Sequence, residues 1–123
     1  MAWLIAAVKR LIEKFQHAFS GLYKGIRYDR SISVQILLAA LSVIMFYVFF
    51  DLDYVEWMFV VSAIFIVLIA EYLNSAIEDV CDLLIQKYDL HVKEIKDIAA
   101  AAVLLAALYA IIIAFMILGR RIL

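Results

Sequence analysis

The chain has 123 residues, 69% of them hydrophobic, with a mean hydropathy of +1.05 and a net charge of −1. Soluble domains are about 45–50% apolar, so this excess excludes an ordinary water-soluble globule and calls for a hydrocarbon solvent. The near-zero net charge identifies no partner, and the basic residues fall beside apolar stretches rather than in a patch suited to nucleic acid.

The sequence has no proline and only three glycines. That favours long helices over the alternating strands and turn residues of a membrane β-barrel. Residues Trp3 to about Arg27 read as an amphipathic surface helix. Arg10, Lys14, His17, Gly21 and Lys24 recur at spacings of four, three, four and three, on one polar face. The apolar residues between them suit a helix lying at a membrane interface, where the plain role is to anchor and cap a bundle. The run Ala2–Val8 is followed, not preceded, by Lys9 and Arg10, so it does not read as a signal peptide.

A bilayer core about 30 Å thick takes roughly 20 apolar residues to cross as a helix. Ile32–Phe50 has no formal charge and gives the first span; Ile98–Leu118 is equally charge-free and gives the third. Between them, Trp57–Ala70 is apolar but short, and becomes a span only if the helix continues through Glu71 to about Leu84. The expected fold is therefore an all-α membrane protein of one domain over 1–123, with a surface helix at about 3–27. Its spans are expected at about 32–50, 57–84 and 98–118. Six Lys or Arg residues precede the first span, and Lys87, Lys93 and Lys96 lie between the second and third. The first loop carries Asp51, Asp53 and Glu56 with no basic residue. The positive-inside rule then puts the N-terminus and the second loop in the cytoplasm. Arg120 and Arg121, at the far end of the third span, run against that assignment. The lone Cys81 can form no internal disulfide.

The second span holds the most informative pattern. With Glu71 at zero and about 100° per residue, Asn74 falls near −60°, Glu78 near −20°, Asp82 near +20° and Ser75 near +40°. Only Asp79 leaves this sector. Counted from Trp57 at 1.5 Å per residue, Glu71 lies about 21 Å along the axis and Glu78 about 31 Å. A carboxylate held in hydrocarbon costs several kcal/mol unless it pairs, protonates or faces a polar cavity. A protonated, hydrogen-bonded Glu71 is the structural alternative, and Asn74 and Ser75 have a plain reading as interhelical hydrogen-bond partners. Carboxylates at this spacing also suit a hard divalent cation such as Mg²⁺, which takes one or two carboxylates plus substrate phosphates. Asp29, just before the first span, falls at the level of Glu78, and Lys96 at the start of the third is a natural phosphate partner. No Walker-type or kinase glycine loop is present, two histidines give no His-rich zinc site, and no serine nucleophile elbow occurs.

The stretch Glu71-Tyr72-Leu73-Asn74-Ser75-Ala76-Ile77-Glu78 is followed by Asp82. After it comes Lys96-Asp97-Ile98-Ala99-Ala100-Ala101-Ala102-Val103. Together they resemble the signature of the small prokaryotic diacylglycerol kinases and undecaprenol kinases. The resemblance covers nearly the whole chain. It implies a homotrimer of three-span subunits, each preceded by a surface helix, with active sites shared between neighbours. It implies ATP as phosphate donor, Mg²⁺ as cofactor and a membrane lipid hydroxyl as acceptor, giving phosphatidic acid or undecaprenyl phosphate. Glu71 would be the general base, Asn74 would orient the reacting groups, and Asp29 and Glu78 would bind Mg²⁺. Arg10, His17, Tyr88, Lys96 and Asp97 would join them around the nucleotide.

Two departures stand out. Asp29 occupies a position where the family usually has Glu, and Ser31–Gln35 lacks the polar and basic residues that many members carry there. His17-Ala18-Phe19 with Gly21, and the pair Glu56-Trp57, lean toward the undecaprenol-using branch. Competing readings are a small proton- or cation-coupled transporter with Glu71 as carrier carboxylate, and a non-enzymatic membrane assembly protein. The cluster Asp29, Glu78, Lys96 and Asp97 weighs against the carrier, which needs no nucleotide-phosphate site, and for an assembly protein the whole stripe would be superfluous.

Overall fold

The computed structural model describes residues 1–123 as four helices joined by short connections: α1 (Ala2–Tyr28), α2 (Arg30–Phe49), α3 (Tyr54–Leu84) and α4 (Leu90–Ile122). Helices α2, α3 and α4 are each long and apolar enough to cross a membrane. The helix through Glu71 is continuous, as the absence of Pro and Gly in that stretch permits.

Aspartates set the starts of the three spans. Asp29 is the one non-helical residue between α1 and α2, and its Oδ1 accepts from the Ile32 amide at 3.1 Å. Asp53 caps α3 in a reciprocal box: its Oδ1 accepts from the Glu56 amide at 2.8 Å, while Glu56 Oε1 accepts from the Asp53 amide at 3.1 Å. Asp89 caps α4 by accepting from the amides of His91 (2.8 Å) and Val92 (3.2 Å). The third span therefore begins eight residues before the charge-free stretch, and the second begins at Tyr54 rather than Trp57. A helix continues through charged residues until its backbone donors meet a cap, so charge alone marks the hydrocarbon and not the helix.

Helix α3 packs most extensively on α4 and more lightly on α2, while α1 lies against α2. The α3–α4 pair is antiparallel, with ion pairs at both ends: Asp53 with Arg120, and Asp82 with Lys96. Glu56, only 4% exposed, also receives the Arg121 guanidinium. The two arginines that run against the positive-inside pattern are therefore matched by the carboxylates of the α3 cap. An apolar core at this end joins Phe46, Leu52, Val60 and Ile117, with Phe50 tilted against Phe46 at 5.8 Å between ring centroids. Toward the other end the α3–α4 seam is made by small residues: Cys81, Ala99 and Ala106 are buried, as is Ala63 beside the apolar core. Small side chains let helix backbones approach closely where lipid leaves no hydrophobic drive between them. Only 11 of 123 residues are buried, so most apolar side chains on all three spans face outward, toward lipid or another chain.

Helix α1 is tied to α3 through one residue, Tyr72. The Tyr72 hydroxyl donates to the Leu22 carbonyl at 2.8 Å, and the tyrosine ring fills the space beside Gly25, where an added Cβ would collide with its Cε1. Gly25→Ala is therefore expected to push the ring aside and break this bond. Hydrogen–deuterium exchange along α1 should rise in Gly25→Ala and stay unchanged in Gly21→Ala, where the space is open. Equal protection in the two variants would show that Tyr72 does not tether α1.

Candidate active site

The stripe on α3 is a set of side chains with different partners. Glu71 is buried, 7% exposed, and its Oε1 accepts a hydrogen bond from Gln35 Nε2 on α2 at 3.3 Å. One helical turn on, Asn74 Nδ2 donates to Glu78 Oε1 at 3.2 Å. This leaves Asn74 Oδ1 buried with no partner. Glu78 itself is exposed. Asp82, a turn further, holds the Lys96 ammonium of α4 at 2.5 Å, and Asp97 holds Lys93 at 2.6 Å. The helical period that aligned these residues in the sequence thus orders them by depth, from a buried carboxylate to exposed ion pairs.

Asp29 stands at the junction of α1 and α2, where capping takes one carboxylate oxygen. The junction is further fixed by the Ser33 hydroxyl, which reaches the carbonyls of Ile26 (2.6 Å) and Asp29 (3.0 Å). The remaining residues singled out from the sequence stand apart. Tyr88 is 82% exposed in the α3–α4 connection. His17 is exposed on α1 without a hydrogen bond, and Arg10 turns back to the Ala6 carbonyl of its own helix at 3.4 Å. Within one chain no hydrogen bond or ion pair joins Arg10, His17 or Tyr88 to the α3 stripe.

Several contributors were not singled out in the sequence. Gln35 was one amide in a stretch marked for what it lacked, although a primary amide inside an otherwise charge-free span was itself a signal. Tyr72 carried none, because its reach to α1 depends on how the helices pack. Lys96 was marked, but its pairing with Asp82 was not.

What the set can do chemically follows from its parts. A buried carboxylate with one oxygen occupied by an amide keeps the other free to accept a proton. Further along α3 and on α4, exposed acids and the lysines paired with them offer oxygen ligands and positive charge, though no three of the acids stand close enough together to hold a metal ion by themselves. The family of prokaryotic diacylglycerol kinases matches residues 16–118, a span that includes every one of these residues except Arg10. This chain belongs to that family. It is also 32% identical over 110 residues to the undecaprenol kinase of Bacillus subtilis (strain 168), an alignment covering 89% of each chain. The chain is thus a lipid kinase of bacterial type with three membrane-spanning helices. The chain has no glycine-rich phosphate loop; its polar residues are carried by four helices and their short connections.

Proposed function

We propose that this lipid kinase transfers the γ-phosphate of MgATP to the hydroxyl of undecaprenol, with Glu71 as the general base. The observation that carries the reading is the buried Glu71, held by one oxygen inside a membrane-spanning helix and followed on the same face by Asn74 and Glu78. A lipid hydroxyl is anchored at the membrane interface, so a base for it must sit within the span, while the phosphate machinery must stay in water. The stripe has that order. The likeness to an undecaprenol kinase favours the polyprenol over diacylglycerol.

In this reading the hydroxyl proton passes to Glu71 as the oxygen attacks the γ-phosphorus and ADP leaves. Asn74 orients the reacting groups. The donor set suits Mg²⁺: every candidate ligand is oxygen, and Asn74 Oδ1 is a buried acceptor without a partner directly beside Glu78. Asp29 and Glu78 are the residues that would hold the ion, which would neutralise the ATP phosphates. Lys96 would leave Asp82 to meet phosphate, and Asp97, Tyr88, His17 and Arg10 would surround the nucleotide. Phosphoryl transfer depends mainly on positioning and charge stabilisation, which so small a set can supply.

We place the stripe's polar end and α1 at the cytoplasmic face, with α1 lying along the membrane surface on its apolar side. We also assign the protein to a homotrimer with sites shared between neighbours. The outward-facing apolar residues of the spans, and the lack of any hydrogen bond or ion pair from Arg10, His17 or Tyr88 to the stripe of their own chain, support that assembly. The test is phosphorylation by purified protein in mixed micelles, with ATP and Mg²⁺, offering undecaprenol and diacylglycerol side by side. Label on undecaprenol is expected. Label on diacylglycerol alone would reassign the acceptor, and none on either would overturn the reading.

A further inference from the structure

We infer that Gln35 is a positioning residue for the transfer, acting through Glu71. The inference rests on the kinase reading above. A cavity of about 150 Å³ lies between α2, α3 and α4, lined almost wholly by apolar side chains such as Leu38, Val60, Val67 and Ala110. Two lining residues are polar. Ser42 is occupied, its hydroxyl donating to the Leu38 carbonyl at 2.8 Å. Gln35 is the other, and the one side-chain hydrogen bond it makes is to Glu71. A primary amide on a membrane-spanning helix is costly to place, and here its N–H is spent on the buried carboxylate.

The bond has a directional consequence. Gln35 holds Glu71 Oε1, so Oε2, which has no hydrogen-bond partner, is the oxygen left to take the substrate proton. Gln35 is a half-buried residue on a different helix from Glu71, so it fixes the carboxylate relative to α2 rather than only to its own helix. In the transfer the lipid O–H bond breaks and its proton goes to Oε2. The hydroxyl oxygen bonds to the γ-phosphorus, and the bond from phosphorus to the departing ADP oxygen breaks. Gln35 touches none of the reacting atoms; without it the carboxylate can rotate away from the hydroxyl.

The experiment compares Gln35→Met and Gln35→His with the wild-type chain, each purified in the same micelles, in the lipid phosphorylation assay. Methionine keeps the length and volume of the side chain and removes the donor. Histidine can place an N–H near the position of Nε2 but fills the space less well. A positioning hydrogen bond to a charged group predicts that kcat falls about tenfold in Gln35→Met and stays within about threefold of wild type in Gln35→His. The KM values for MgATP and lipid should not move in either. If Gln35 serves only packing, the order reverses, because methionine fits and histidine does not. A kcat for Gln35→Met equal to or above that of Gln35→His, or a loss expressed in KM, would overturn the inference while leaving the kinase reading intact. Absence of transfer by the wild-type chain would instead remove the reading on which it rests.

Discussion

Glu71→Gln is expected to abolish lipid phosphorylation while leaving the four-helix fold in place. Glutamine has the shape of glutamate, and its carbonyl oxygen can still accept the hydrogen bond from Gln35, so the α2–α3 contact survives. What is lost is the proton acceptor. A positioned general base contributes about 10²–10⁴-fold to a rate, so turnover should drop by at least about two orders of magnitude. The check is the micelle assay beside a thermal melt followed by circular dichroism. A variant that melts like wild type and turns over at a near-normal rate would remove Glu71 as the base. One that no longer folds would show that the carboxylate is there for structure.

The second large effect is expected at Asp29, where two roles must be separated. Its carboxylate caps α2 and, in the proposed mechanism, holds Mg²⁺. Asparagine caps a helix about as well as aspartate but carries no charge, whereas alanine does neither, and loss of a cap costs about 1 kcal/mol. Asp29→Asn should therefore keep the melting temperature and raise the Mg²⁺ concentration for half-maximal activity. The shift should be about tenfold or more, the scale on which even indirect contacts tune metal affinity. Asp29→Ala should show the same rise together with a lower melting temperature. An unchanged Mg²⁺ titration in Asp29→Asn would take Asp29 out of the metal site and leave it as a cap. The same duality explains a departure noted in the sequence. Aspartate is a preferred capping residue and glutamate is not, so the shorter acid at this position secures the α1–α2 junction that a longer one would hold less well.

Much of the fold was legible because membrane helices advertise themselves in composition. The charge-free stretches gave the spans their places, and the helical period put Glu71, Asn74, Glu78 and Asp82 on one face before any coordinates. The helix ends were less legible when charge was used to find them. The three aspartates at 29, 53 and 89 carried the better signal, since each accepts from the first turn of the helix that follows. Pairings between helices were not legible at all. Gln35 with Glu71, Tyr72 with Leu22 and Lys96 with Asp82 depend on the register in which one helix slides against another. Periodicity within a single helix does not encode that register.

The thinness of the bundle has a thermodynamic consequence. In water, unfolding exposes apolar surface and raises the heat capacity, which bends the stability curve into a dome. Here most apolar side chains already face outward in the folded chain, and separated helices would keep them in hydrocarbon. Pulling these helices apart within a bilayer therefore changes little of the surface that water sees. The heat-capacity increment for that step is small, its stability varies almost linearly with temperature, and cold offers no second melting. Cohesion depends instead on how closely the alanine seam of α3 and α4 fits and on the few polar clasps across it.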